Sequence, residues 1–247
     1  MIVAAALPGI PEVRQGDDLG HLLAGAAGHL ANGDVLVIAH KIVSKAEGSV
    51  VALADVEVSG EAVVLGAAHA KDPRLVELIL RESAEIVRSR PGVLICRTRH
   101  GYVCANAGVD ASNAAATDEV VLLPRNPDAS ARALRRRLRE LTGVAPAIVI
   151  TDSFGRAWRV GQCDVAIGIA GLQPLDDWRG RRDAAGRVLD ATMIAIADEA
   201  AAAADLVRSK DGGEPAVLVR GLERHVTDAD GPGAAALVRA REEDLFS

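Results

Sequence analysis

Two short acidic loops, Gly108-Val109-Asp110-Ala111-Ser112-Asn113 and Thr151-Asp152-Ser153-Phe154-Gly155-Arg156, each set a carboxylate beside a hydroxyl and a flexible residue. Hard divalent cations such as magnesium take oxygen ligands, commonly one or two carboxylates with water and substrate phosphate completing the shell. Asp110, Asp152 and the Ser153 hydroxyl supply that chemistry. Taken singly, either stretch is also ordinary turn and helix-cap chemistry. A third stretch, His40 to Lys45 followed by Glu47-Gly48, puts Lys41 and Lys45 at the end of an apolar run, where an ammonium can neutralise phosphate oxygens during phosphoryl transfer. It is not a Walker A loop, because no GxxxxGKS or GxxxxGKT string occurs in the chain. A solvated surface position is the default for Lys41. The run Arg156-Ala157-Trp158-Arg159-Val160-Gly161-Gln162 groups two cations, a large ring and an amide, a set suited to an anionic, ring-containing substrate. Trp158 fits equally well as a core residue whose indole N–H finds a backbone partner.

The elements that must position these residues can be read from punctuation and periodicity. Gly9-Ile10-Pro11-Glu12 reads as a turn or extended loop, after which Asp17 caps a helix to about Leu30. Val35 to Ala39 is a continuous apolar run of strand length that delivers its end to His40. Pro73 begins a helix whose spacing continues through Ile86 and Val87. Val93 to Ile95 and Gly101 to Cys104 are candidate paired strands, and Val120 to Leu123 is another strand. Pro127-Asp128 opens a helix carrying Arg132, Arg135, Arg136, Arg137 and Arg139, read as a solvated face. Ala147 to Thr151 is a buried-type strand ending at Asp152, Asp190 through Val207 is helix-forming, and Pro215 to Val219 is a last strand. Strands and helices mix without regular alternation and no 20- to 50-residue period repeats, so the fold class is α+β.

Composition narrows the class. With 247 residues the chain can bury a substantial core without staples, as one domain or two intimately packed halves, and a single domain spanning 1–247 is expected. Aromatics are only 2% and the formal net charge is -6, so neither base-stacking platforms nor a basic face for nucleic acid is present. The three cysteines, Cys96, Cys104 and Cys163, have no CxxC pair and read as reduced thiols. No apolar run approaches the roughly 20 residues that cross a bilayer, and a cytoplasmic protein with no membrane partner is expected.

Taken in order, Gly9 to Glu12, His40 to Gly48, Gly108 to Asn113, Thr151 to Arg159 and Ala197-Asp198-Glu199 resemble the coenzyme F420-0:L-glutamate ligase family, over residues 7 to about 221. Five blocks in the right order are far more specific than any one of them. The resemblance implies a mixed α+β fold in an intertwined homodimer, two divalent metals (magnesium or manganese), a monovalent cation such as potassium, and GTP as co-substrate. It implies an acid–amino-acid ligase that adds one or more L-glutamates, γ-linked, to F420-0 or its dehydro form through an acyl phosphate, releasing GDP and phosphate. By the same resemblance Ile10, Pro11, Glu12, Val13, His40, Lys45 and Asn113 line the nucleotide. Asp110 and Asp152 hold one metal and Ser153 the second, while Lys45 and Arg156 act in catalysis. His40 stands where relatives often carry a small hydroxyl residue, Met193 where an acid is common, and Ser153 where threonine is usual. The C-terminal flavin-binding domain of some relatives is not expected, which makes this the stand-alone form. The competing readings are a metal-dependent phosphotransferase or phosphohydrolase, and a non-catalytic nucleotide or deazaflavin binder.

Overall fold

In chain order the elements are β1 (Val3–Ala6), α1 (Leu19–Ala27), β2 (Val35–Ala39), α2 (His40–Ala46), β3 (Val50–Ala52), α3 (Gly60–His69), α4 (Pro73–Glu82) and β4 (Ser83–Arg90). There follow β5 (Val93–Thr98), β6 (Val103–Ala105), β7 (Glu119–Val121), α5 (Pro127–Thr142), β8 (Ala147–Arg156) and β9 (Arg159–Ala170). The chain closes with β10 (Asp176–Asp177), β11 (Met193–Ile194), α6 (Ile196–Asp205) and β12 (Ala216–Arg220). They come from a computed structural model that describes residues 1–111, 118–209 and 212–244.

The central sheet has the order β1-β12-β2-β8-β9. Only β2 and β8 run parallel, with Val35 opposite Ala147 and Ala39 opposite Thr151. The other neighbours are antiparallel. β2 can be apolar at every position because it is covered on both faces. Leu36 and Ile38 join Ile148 and Ile150 beneath α1 and α5, while Val35 and Val37 join Val149, Val217 and Val219 beneath α6. This is the period-two alternation of a strand expressed as two cores. Each of these fully buried aliphatic side chains contributes about 1.5–3 kcal/mol of transfer free energy. A third cluster packs Leu78 and Ile79 of α4 against Leu94 and Cys96 of β5 and Val120 of β7.

The fold is the mixed α+β arrangement that irregular alternation predicts. The strand at Val35–Ala39, the antiparallel pairing of β5 with β6, and the start of α5 at Pro127 match the sequence reading. α5 begins well because Asn126 accepts from the Ala129 N–H at 3.0 Å and Pro127 occupies the first turn. Four differences have physical reasons. The cap of α1 is Asp18, which accepts from His21 N–H at 3.1 Å, one residue later than expected. α4 stops at Glu82, where the Ser83 hydroxyl takes the Ile79 carbonyl at 2.5 Å, and Ile86 and Val87 continue in a strand, the conformation β-branched residues prefer. The helix expected from Asp190 to Val207 is confined to Ile196–Asp205, because Met193–Ile194 pairs instead with Asp176–Asp177.

The fourth difference is Arg135, which is buried rather than part of a solvated face. It donates to the carbonyls of Thr227 at 2.5 Å and Asp228 at 3.1 Å and to the Asp230 carboxylate at 3.0 Å. The arginine reaching inward takes up loop carbonyls that the backbone bonds between this loop and Gly171 leave over. Among the described residues no helix is long and apolar enough to cross a membrane.

Candidate functional site

Ligands in sheets with parallel strands gather beyond the strands' carboxyl ends, and here the carboxyl ends of β2 and β8 open into a cleft of about 880 Å³. Ile10, Pro11, Glu12 and Val13 from the extended loop form one wall, and His40, Lys41 and Lys45 from α2 form another. Asp110, Asp152 and Ser153 line the same cleft, together with Asp164, Arg208 and Glu214. Thus the residues singled out from four separate stretches of sequence converge.

β2 passes directly into α2, so the first turn of that helix presents its side chains at the strand end. Lys41 and Lys45, four residues apart, share a helix face. Lys41 Nζ lies 2.8 Å from Asp110 Oδ2, and Lys45 Nζ lies 2.5 Å from Glu12 Oε1. Lys45 is only 8% exposed, so its charge is largely desolvated and its stem is held by packing. The solvated default for Lys41 does not hold, because it pairs with Asp110 in the cleft. His40 is buried, with Nδ1 3.3 Å from the Ser44 hydroxyl and Nε2 3.4 Å from Asp152 Oδ1. That second ring nitrogen makes no hydrogen bond among the described residues.

Asp110 is fixed through its backbone, which exchanges hydrogen bonds with Val121 at 3.0 and 2.8 Å. The approach is tight: Asn106, Ala107 and Gly108 all have positive φ. Two non-glycine residues in that region store backbone strain, which persists only where surrounding structure imposes it. A Cβ at Gly108 would sit 2.7 Å from Leu123, so glycine is needed there for packing as well.

Asp152 and Ser153 are strand residues of β8 rather than loop residues, since β8 continues to Arg156 and pairs along β9. The pairing sets Ser153 opposite Asp164. Ser153 Oγ donates to Asp164 Oδ1 at 2.6 Å, and Thr151 Oγ1 donates to Asp164 Oδ2 at 2.9 Å. The Arg208 guanidinium also lies against Asp164 Oδ2 and donates to Thr151 Oγ1 at 3.1 Å. Both charged partners are almost fully buried, with side chains 4% and 7% exposed.

The structure does not bring every expected residue into the cleft. Arg156 sits at the tip of the β8–β9 hairpin and donates to the Val160 carbonyl at 2.8 Å, away from the cleft lining. Trp158, in the same turn, is 84% exposed with φ of 63°, which removes the core reading. Asn113 lies outside the described residues. Asp164 was missed by motif reading, whereas Arg208 belongs to the segment Arg208-Ser209-Lys210, where the family resemblance implies a further metal or nucleotide ligand without naming which residue supplies it. The available signal was a charged residue at the head of the apolar run Val165-Ala166-Ile167, on a strand that can fold back onto Ser153.

The donor set is of the hard-oxygen kind: two carboxylates, Asp110 and Asp152, and the Ser153 hydroxyl. Among the described residues no three His, Cys, Asp or Glu side chains gather as a metal cage. The residues therefore fit a cation that keeps water and substrate phosphate in its shell, as magnesium does, and not a fully protein-bound structural metal.

The chain is also similar to known proteins. A family model described as F420-0:Gamma-glutamyl ligase matches residues 9–221. A protein of Methanopyrus kandleri named Coenzyme F420:L-glutamate ligase is 50% identical over 95% of this chain and 93% of its own length. Relatives with the same name from Methanothermobacter thermautotrophicus and Haloarcula marismortui are 46% and 42% identical, over 96% and 97% of this chain and 96% and 93% of theirs.

Proposed function

This chain belongs to the F420-0:gamma-glutamyl ligase family, and from that membership we propose that it is a GTP-dependent, GDP-forming enzyme that joins L-glutamate to coenzyme F420-0. The observation that carries the proposal is the convergence of Asp110, Asp152, Ser153 and Lys45 with the Ile10–Val13 loop on one cleft.

An amide cannot form directly from a carboxylate, because oxide is not a viable leaving group. In the proposed reaction a carboxylate oxygen of F420-0 attacks the γ-phosphorus of GTP, the bond to the β–γ bridging oxygen breaks, and GDP departs. The acyl phosphate is then attacked by the amine nitrogen of L-glutamate, inorganic phosphate leaves, and the nitrogen loses its proton. Such phosphoryl transfer asks a protein mainly for positioning and charge stabilisation. The Ile10–Val13 loop and the α2 wall would hold the nucleotide between them. Lys45, already desolvated, would place its ammonium against the phosphates, where a point charge in a low-dielectric cleft is worth more than in water. Asp110, Asp152 and Ser153 would hold two divalent cations, magnesium or manganese, which supply charge neutralisation for the triphosphate. Arg156, at the hairpin tip, would reach substrate only outside the cleft as the single chain forms it. A homodimer and a bound potassium ion belong to the same proposal.

The test is mass spectrometry of F420-0 incubated with the protein, GTP, L-glutamate and magnesium or manganese. Products heavier by one or more glutamyl groups, formed together with GDP, are expected. GTP turnover at the same rate with F420-0 and glutamate left out, and no glutamylated product, would overturn the proposal in favour of a phosphohydrolase.

A further inference from the structure

We propose that Asp164 is a positioning residue that sets the polarity of the Ser153 hydroxyl, turning its lone pairs toward the cleft so that it can serve as a cation ligand. The inference rests on the functional reading above and adds a residue to it.

Asp164 is 3% exposed and paired with Arg208. A buried ion pair is weak evidence of stabilisation, since the cost of desolvating two charges commonly matches their attraction. Its position at the cleft, on the residues that flank Asp152, points to a different use. A carboxylate paired with a guanidinium only accepts hydrogen bonds. Asp164 Oδ1 therefore takes the proton of Ser153 at 2.6 Å, and Oδ2 takes the proton of Thr151 at 2.9 Å. With its proton committed inward, Ser153 Oγ offers the cleft an acceptor. Hydrogen bonds of this outer kind orient ligands and raise their basicity. Arg208 in turn fixes the carboxylate, holding Oδ2 while also donating to Thr151 Oγ1 at 3.1 Å.

The same geometry gives a substitution of one atom that reverses the effect. In Asp164→Asn the amide oxygen must face Arg208, which has only donors. The amide nitrogen is then left facing Ser153 Oγ. The hydroxyl becomes the acceptor of that bond, a lone pair is consumed inward, and its proton swings toward the cleft, where it opposes a cation.

The experiment is titration of Mn²⁺ alone into the metal-free protein, read by the electron paramagnetic resonance of free Mn²⁺, for wild type, Asp164→Asn, Ser153→Ala and the double variant. Asp164→Asn is expected to weaken Mn²⁺ binding roughly ten- to hundredfold, the range of lost outer-shell partners. Ser153→Ala should weaken it comparably, and the double variant should be no weaker than Ser153→Ala, because Asp164 acts through that hydroxyl. In glutamate incorporation, Asp164→Asn should raise the Mn²⁺ concentration needed for half-maximal rate more than it lowers the rate at saturating Mn²⁺, a split that general loosening would not produce. Wild-type Mn²⁺ affinity in folded Asp164→Asn, or losses that multiply in the double variant, would overturn the proposal. Ser153→Ala leaves the buried charge pair intact and so keeps the test decisive should Asp164→Asn not fold: unchanged Mn²⁺ affinity there is enough to refute it. Absence of saturable Mn²⁺ binding in the wild type would instead overturn the functional reading on which this one stands.

Discussion

Arg135→Met should cost about 2–3 kcal/mol of folding stability. The arginine side chain is 6% exposed and donates to two loop carbonyls, Thr227 at 2.5 Å and Asp228 at 3.1 Å. Leaving a buried acceptor unpaired costs about 1–3 kcal/mol. Thr227 is half-buried and Asp228 exposed, so the first carbonyl falls in the lower half of that range, about 1–2 kcal/mol, and the second at its foot, about 1 kcal/mol. The Asp230 partner is 46% exposed and will be resolvated, so the large penalty for a stranded buried charge does not arise. Methionine keeps most of the apolar stem packing. At roughly 2–4 °C per kcal/mol for a chain of this size, the unfolding midpoint should fall by about 4–12 °C. Urea denaturation monitored by circular dichroism measures the loss, with Arg136→Met, at an exposed position of the same helix, as the comparison expected within about 0.5 kcal/mol of wild type. Equal, near-zero effects for both variants would refute the inward role assigned to Arg135.

Three further outcomes are expected. Burial holds the Asp198 carboxyl above the usual carboxylate range, against the pull of the Ala166 N–H that it accepts at 2.9 Å. An acid whose folded pKa is raised penalises the folded state above that pKa, and the penalty fades as pH falls through it. Asp198→Asn, which keeps the acceptor oxygen, should therefore melt higher than wild type near neutral pH and lose that advantage by about pH 4; a constant offset at all pH values would contradict the assignment. Burial raises all three thiols, Cys104 up to about 12, but Cys96 and Cys104 are buried whereas Cys163 is only half-buried and open to reagent. A thiol-exchange reagent at mildly alkaline pH should label Cys163 alone in the native protein and all three cysteines in denaturant; rapid labelling of Cys104 in the native state would be inconsistent with this packing. Lys45→Met should lower the glutamylation rate by about 10²–10³ with little change in unfolding midpoint, because its partner Glu12 is 60% exposed; a rate within twofold of wild type would remove Lys45 from the chemistry.

Much of the scaffold was readable because burial leaves a mark on sequence. Val35–Ala39 is apolar at every position since both faces are covered, and Asn126-Pro127 announces α5 through cap chemistry. β9 was unreadable for the opposite reason: its first third, Arg159 to Gln162, projects in an exposed hairpin and carries the polarity of a loop. α3 escaped notice because Gly60 and Gly66 interrupt its pattern, although a Cβ at Gly66 would be tight, within 3.3 Å of Pro73 and the Lys71 carbonyl. At the site, Asp110, Asp152 and Lys45 were legible as residue types in ordered blocks. Asp164 was not, because its role depends on strand register: pairing across the hairpin sets it against Ser153, eleven positions away in sequence. Arg135 was misread because helical spacing alone cannot tell an arginine that reaches solvent from one that reaches a neighbouring loop.

In the proposed function Asp110 and Asp152 act together on one nucleoside triphosphate. Calorimetric titration of GTP into wild type, Asp110→Asn and Asp152→Asn, with and without magnesium, tests it most directly. Saturable binding that requires the metal in wild type, and is weakened at least about tenfold in each folded variant, is the predicted result. GTP affinity that is indifferent to magnesium and unchanged in both variants would contradict it.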